Sequence, residues 1–288
     1  IKGLNLPSVM VVDDYIREYV DGSAFAHVIG FTAIADRGKG IEGKSGLEFF
    51  YNDQLRGKNG LSVEYRDAKG NIFDQKLVAE TEVGQRLVTT IDAELQKYFY
   101  NRLSSGLRSL GRFAGVGLAI NPQNGEILSL VSLPSFDNNI FSTRGRNTEK
   151  ESLLKSAGQA MFNRAVSGIY SPGSTIKPLV ALAALRENIV APDFQVYSKG
   201  YIEVPNPYNP DEPSRFLDWK PHGWVDLHSA LARSSNVYFY GVGGGLPPTE
   251  GKLQGLGIYK LKDYWQKFGF GEKTGVDFAG EGVGFLPD

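Results

Sequence analysis

The chain has 288 residues, with 31 basic and 32 acidic side chains and a net charge of −1. That length suits one large domain or two ordinary ones, and balanced charge without a Lys/Arg block argues against nucleic acid as a partner. There is no cysteine, so disulfides, thiolate chemistry and cysteine-based zinc sites are excluded.

No apolar run approaches the length needed to cross a bilayer; the longest, near Leu179–Leu185 and Val116–Ile120, are core-sized. The first residue is Ile1 and not methionine, so an upstream segment is expected, with room for a membrane anchor or signal. The first eighty or so residues read as mixed and irregular. Gly38, Gly40, Gly43 and Gly46 crowd one stretch, and LEFFYNDQL (47–55) reads as a short amphipathic helix. LSVEYRD (61–67) and IFDQKLV (72–78) flank the turn signal AKGN and predict a β-hairpin.

Near residue 85 the loose polar pattern gives way to denser apolar periodicity, which sets the expected boundary between a region 1–85 and a region 86–288. RLVTTI (86–91) reads as a strand. Asp92 reads as the N-cap of AELQKYFYNRL, whose Leu95, Phe99 and Leu103 share one helical face. VGLAI (116–120) and EILSLVS (126–132) enclose NPQNG and predict a second hairpin, apolar enough to be central in a covered sheet. Residues 205–213, PNPYNPDEP, are a loop. DLHSALARSSNVYFYGV (226–242) and YKLKDYWQKFGF (259–270) read as helices, the latter with Leu261, Tyr264, Trp265 and Phe268 on its apolar side. There is no internal repeat.

YSPGSTIKPLVALAALRE (170–187) carries the chemistry. Pro172 and Gly173 let a helix begin near Ser174, and residues three apart on a helix are neighbours. The Lys177 amine can then reach the Ser174 hydroxyl. The following residues are apolar nearly all round, which predicts a buried helix and a partly desolvated lysine. A free lysine titrates near ~10.4, so a lowered value is what general-base work requires. Pro178 falls fifth in such a helix and predicts a loose or kinked first turn. Taken alone, Ser-x-x-Lys is more often a capped helix start with a snorkelling lysine.

Sixty residues after Ser174, Ser234-Ser235-Asn236 forms a Ser-x-Asn pattern. Its first hydroxyl could relay protons to the lysine and its amide could hold a carbonyl or the lysine itself; alone it is more often a helix break or cap. Lys273-Thr274-Gly275 matches a Lys-Thr-Gly triplet that must lie on a strand to act with the other two. Here glycines surround it and Val276-Asp277-Phe278 is too short and polar for a sheet edge, so a loop without a catalytic role is expected. Asp218, His222, Asp226 and His228 fit no standard metal spacing. No Ser-His-Asp set is evident.

FNRAVSGIYSPGSTIKPLVALAAL resembles the active-site segment of class B penicillin-binding proteins, the monofunctional peptidoglycan transpeptidases. GLEFFYNDQLRGKNG resembles their non-catalytic pedestal module, LVTTIDAELQ the junction into the catalytic domain, and GVGLAINPQNGEILSLVSLPSFDNN the first catalytic hairpin. FLDWKPHGWVDLHSALARSSNVYFYGV resembles the elongation-type subgroup, penicillin-binding protein 2. The likeness covers nearly the whole chain with its motifs in order.

The resemblance implies an α+β fold, an antiparallel sheet between helices, incomplete here, preceded by part of an elongated pedestal. It implies Ser174 as acylated nucleophile, Lys177 as its base, Ser234 as proton relay and Asn236 as binder of Lys177 and the substrate backbone. No cofactor is needed. The implied partners are peptidoglycan stem peptides, β-lactam antibiotics, a membrane glycosyltransferase and other elongation-complex proteins. The implied place is a cytoplasmic-membrane anchorage with the catalytic part in the periplasm. A segment like FGFGEKTGVDFAGEGVG precedes the true Lys-Thr/Ser-Gly strand in the family, so that strand is expected beyond Asp288 and residues 1–288 alone are expected to be inactive. The zinc site of some elongation-type members uses Asp, His and Cys. Asp218 and His222 lie in its region, but cysteine is absent and the site is not carried over. A serine β-lactamase or β-lactam sensor, a non-enzymatic scaffold of the wall-synthesis complex, and an unrelated serine hydrolase are the competing readings.

Overall fold

The structure, a computed structural model, describes residues 16–34, 40–206, 208–209, 211–248 and 251–287. Gly38 of the glycine-rich stretch lies outside them. The chain divides into two compact units, residues 1–168 with 276–281 and residues 169–275 with 282–288. The position near residue 85 falls inside the first unit.

The first unit runs α1 (Gly22–Ile29), β1 (Thr32–Ile34), β2 (Ile41–Gly43), α2 (Gly46–Phe50), α3 (Asn52–Leu55), β3 (Leu61–Arg66), β4 (Ile72–Ala79), α4 (Ala93–Ser109), β5 (Gly115–Ile120), β6 (Ile127–Leu133), α5 (Asn139–Ser142) and α6 (Asn147–Leu154). Its strands pair antiparallel as β1–β2, β3–β4 and β5–β6. Both predicted hairpins are present. Asp92 is extended and its side chain accepts the Leu95 N–H at 3.0 Å, so α4 starts where the cap signal places it.

Helix α4 lies against the second hairpin. A Cβ on Gly117 would stand 3.2 Å from the Phe99 ring and 3.6 Å from Leu103, so glycine lets the helix approach β5. Beside these apolar residues sits a polar one. Gln96 is fully buried; its Nε2 donates to the carbonyls of Ala24 and Leu130, and its Oε1 accepts from the Leu130 N–H and the Ser129 hydroxyl, all at 2.7–2.9 Å. Its amide is thereby satisfied on both atoms, which is what makes the burial tolerable.

Three expectations need correction here. LEFFYNDQL forms two short helices parted at Tyr51, which ends the first and caps the second; Leu47 and Glu48 are buried, and Arg17 pairs with the Glu48 carboxylate at 2.9 Å. RLVTTI is not a strand. It touches β6 through the Asp92 N–H to the Leu128 carbonyl and the Thr90 hydroxyl to the Ile127 carbonyl, contacts that do not repeat as a ladder. β5 is not covered on both faces: Val116, Leu118 and Ile120 are exposed while β6 is buried from Ser129 to Leu133. With α4 on one side, the strand alternates as a half-buried one does.

The second unit opens on a 3-10 turn (Gly173–Ile176) and continues as α7 (Lys177–Arg186), β7 (Val196–Ser198), β8 (Tyr201–Val204), β9 (Ser214–Leu217), β10 (Gly223–Val225), α8 (Leu227–Ala232), α9 (Asn236–Gly244) and α10 (Gly257–Lys267). β7 pairs with β10 and β8 with β9, both antiparallel. The core is built from Val180 and Ala184 of α7, Val225 of β10 and Tyr238 and Val242 of α9, with Leu261 and Tyr264 of α10 packed against it. α7 is buried on one side only: Val180, Ala181, Ala183 and Ala184 face inward, whereas Leu182 and Leu185 are exposed. The helix expected over 226–242 is two helices, broken at Ser234.

Candidate active site

The break at Ser234 sets the geometry of the site. Asp226 and Ser229 form a reciprocal capping box that starts α8. The chain then turns through Ser234, whose φ of 54° is in the left-handed region that non-glycine residues seldom occupy. Ser235 becomes the extended N-cap of α9 and accepts the Tyr238 N–H at 3.4 Å. One turn of chain therefore presents the Ser234 hydroxyl, the Ser234 carbonyl and the Asn236 amide on one side. A strained backbone position held by its surroundings is frequent at functional sites.

Lys177 fills that side. Its Nζ donates to the Ser234 carbonyl at 2.8 Å and to Asn236 Oδ1 at 2.6 Å, and lies 3.1 Å from the Ser234 hydroxyl oxygen. The residue is 8% exposed, and the Phe239 ring centre lies 5.7 Å from the amine. Burial lowers the Lys177 pKa from the ordinary lysine value, while the Asp218 charge acts in the raising direction. A neutral amine has two N–H bonds and one lone pair. It can donate to the two carbonyl oxygens and accept from the Ser234 hydroxyl, whereas an ammonium would donate to all three oxygens.

Ser174 sits one residue into the 3-10 turn that precedes Lys177. In such a turn side chains three apart eclipse, which keeps Ser174 and Lys177 on one side of the chain. The Ser174 side chain is exposed and makes no hydrogen bond among the described residues. The direct Ser174–Lys177 hydrogen bond that the spacing allows is not formed, because the amine is turned to Ser234 and Asn236. The helix starts at Lys177 and not at Ser174, so Pro178 occupies the first turn, where its missing N–H costs no helical bond. The loose first turn expected before Pro178 is the 3-10 turn Gly173–Ile176, and Pro178 itself interrupts no helical bond.

Asp218 lies behind this cage, with a fully buried side chain. Its Oδ2 accepts from the Ser235 hydroxyl at 2.8 Å, the Val237 N–H at 3.0 Å and the Ser198 hydroxyl at 3.2 Å; its Oδ1 accepts from the Trp219 N–H at 2.9 Å. Burial alone would raise its pKa, but the hydrogen bonds from the α9 N-terminus, Ser235 and Trp219 outweigh it and hold the carboxyl below its ordinary value. His222 Nε2 approaches Oδ1 to 3.5 Å without making a hydrogen bond, and both ring nitrogens are buried. Sequence patterns did not mark Asp218 for this part. An aspartate before a tryptophan in a loop carries no periodic signal, and its partners come from β7 and from residues seventeen to nineteen positions on.

Lys273-Thr274-Gly275 lies on an exposed loop and not on a strand, with Gly275 at a φ of 81°. Asp226 caps α8 and His228 is exposed. Among the described residues, no three His, Asp or Glu side chains stand together as a metal site would require. No helix of the described residues is long and apolar enough to cross a membrane.

The site thus holds an exposed serine in a turn, a buried lysine one turn on, and a serine–asparagine pair on that lysine. The chain belongs to the penicillin-binding protein transpeptidase family: the penicillin binding protein transpeptidase domain matches residues 115–288, and the penicillin-binding protein dimerisation domain matches residues 2–89. It is 34% identical to the peptidoglycan D,D-transpeptidase MrdA of Acinetobacter baumannii over 98% of this chain and 41% of that protein. Among solved structures, the PBP2 of Pseudomonas aeruginosa in complex with WCK 5153 superposes with a TM-score of 0.74 at 30% identity, over 97% of this chain and 56% of the other. The Helicobacter pylori PBP2 in complex with MreC gives a TM-score of 0.74 at 28% identity, over 95% and 49%. The chain thus spans less than half the length of that curated relative. The α+β transpeptidase fold expected from the sequence is the fold of these neighbours.

Proposed function

We propose that the protein is a peptidoglycan D,D-transpeptidase acting through a Ser174 acyl-enzyme. The observation that carries this reading is the buried Lys177 amine, held between Ser234 and Asn236 one turn from an exposed serine. Lys177 takes the Ser174 proton as the oxygen attacks the carbonyl of the penultimate D-alanine of a stem peptide. The C–N bond to the terminal D-alanine breaks, and Ser234 passes a proton from the lysine to the departing amine. An acceptor amine from a neighbouring strand then attacks the ester, forming the cross-link and returning the proton to Ser174. Asn236 fixes Lys177 and takes part in binding the substrate backbone. No step calls for a cofactor, because an activated serine with oxyanion stabilisation suffices for acyl transfer. β-Lactams acylate Ser174 as mimics of the acyl donor.

Residues 1–85 serve as a non-catalytic pedestal and residues 86–288 contribute to the transpeptidase domain, while Lys273-Thr274-Gly275 takes no part in the chemistry. The match to MrdA proteins supports a membrane-anchored protein with its catalytic part in the periplasm. The complex of the Helicobacter pylori PBP2 with MreC, and a solved peptidoglycan synthase complex that coordinates polymerization and crosslinking, support partners in a wall-synthesis assembly, a membrane glycosyltransferase among them.

The test is covalent labelling of the full-length protein by a fluorescent penicillin, together with release of D-alanine from a stem pentapeptide. Ser174→Ala is expected to abolish both with its thermal midpoint preserved. Undiminished labelling of that variant would overturn the assignment.

A further inference from the structure

We infer that Asp218 is a positioning residue of this site: its buried carboxylate ties the N-terminus of α9 to β7 and so fixes Ser234 and Asn236 against Lys177. The inference rests on the acyl-transfer reading above and goes beyond it, since Asp218 lies outside the serine, lysine and asparagine motifs.

The geometry singles it out. Oδ2 collects three donors from two separate elements, the Ser198 hydroxyl at the end of β7 and the Ser235 hydroxyl and Val237 N–H at the start of α9. The two donors on α9 bracket Asn236, whose side chain holds Lys177, and Ser235 directly follows Ser234. An acceptor at this place also stabilises a helix N-terminus, where unpaired N–H groups and the helix dipole favour negative charge. Ser234 keeps a left-handed backbone only while both sides of it are held. On one side it is the capped helix α8; on the other it is Asp218.

The carboxylate has a second consequence. Its charge opposes the burial that lowers the Lys177 pKa, so it moderates how much of the lysine is neutral. The other titratable groups on the elements packed against α7 are His228 of α8, Tyr238 and Tyr240 of α9 and the ionisable side chains of α10, with His222 beside Asp218 and Arg233 at the end of α8. Packing alone would require neither the charge nor the hydrogen bonds, so the two roles can be separated by substitution.

The experiment follows penicillin acylation of the full-length protein across pH for wild type, Asp218→Asn, Asp218→Ala and Ser235→Ala. Asp218→Asn keeps one oxygen for the α9 donors and removes the charge. Its limb of rising acylation is expected to move to lower pH than in wild type, since the raising influence on Lys177 is gone. Asp218→Ala releases α9, and acylation is expected to fall about 10²-fold, the scale of a small misplacement of catalytic groups. Ser235→Ala removes one of the donors and is expected to lose less; combined with Asp218→Ala it should add little, because both act through one contact. If Asp218→Ala does not fold, the Asn and Ser235 variants still decide. A pH limb unmoved in Asp218→Asn, or acylation by Ser235→Ala equal to wild type, would overturn the inference. Wild-type protein that takes no label would instead overturn the transpeptidase reading on which it rests.

Discussion

Lys177 and Lys273 each stand beside a hydroxyl residue in a short motif, Ser174-x-x-Lys177 and Lys273-Thr274-Gly275. Their surroundings differ in every respect that matters to chemistry. Lys177 begins a helix, is almost wholly buried and meets three acceptor oxygens within 3.1 Å. Lys273 is exposed on a loop between glycines, with no strand to present it. A lysine in water is charged at neutral pH; desolvation lowers its pKa, the direction that general-base work requires. The comparison shows that a four-residue motif acquires chemical meaning from what folds over it.

Substitution sharpens that contrast. The largest effect is expected from Lys177→Arg, which keeps the charge but cannot supply a neutral amine. Acylation by penicillin should fall on the order of 10⁴-fold, as for a member of a catalytic unit. Lys273→Arg is expected to leave the rate within twofold of wild type. A loss under tenfold at Lys177 would mean that it only packs or pairs, and the contrast would collapse. Ser234→Ala comes next. It removes the hydroxyl that lies 3.1 Å from the Lys177 amine, with an expected loss of about 10²-fold in acylation rate. An unchanged rate would deny it a part in proton transfer.

A buried polar residue need not serve catalysis, and Gln96 marks the difference. Its four hydrogen bonds join α4 to β6 and to the carbonyl of Ala24 in α1. Gln96→Leu strands buried backbone partners and is expected to cost about 2–5 kcal/mol in denaturant unfolding. Acylation by the folded fraction should not change. A kinetic loss in folded Gln96→Leu would contradict a purely structural role for this residue. The smallest effect is expected at Thr274→Val, which removes a hydroxyl from the exposed loop and should leave acylation within twofold of wild type. A tenfold loss would bring the triplet into the site.

Much of this was legible in the sequence. The two hairpins announced themselves by alternation around turn residues, and Asp92 by a cap before an amphipathic run. Ser174, Lys177, Ser234 and Asn236 stand out in the sequence by motif and order, and the structure brings Lys177, Ser234 and Asn236 together. What was not legible depends on distant partners. The break at Ser234 interrupts a run with unbroken helical periodicity, and its left-handed turn is held by contacts outside the run. Asp218 and Gln96 look like ordinary polar residues until the groups they bond arrive from other elements. β5 was misjudged because a run of apolar residues does not say whether one face or both are covered.

The central claim is that Lys177 works as a neutral amine made available by burial. The pH dependence of penicillin acylation in the full-length protein tests it most directly. The rate is expected to rise along a limb centred below the ordinary lysine value of ~10.4, retained in Lys273→Arg and absent from Lys177→Arg. A limb at the ordinary lysine position, or one that persists without change in Lys177→Arg, would contradict it.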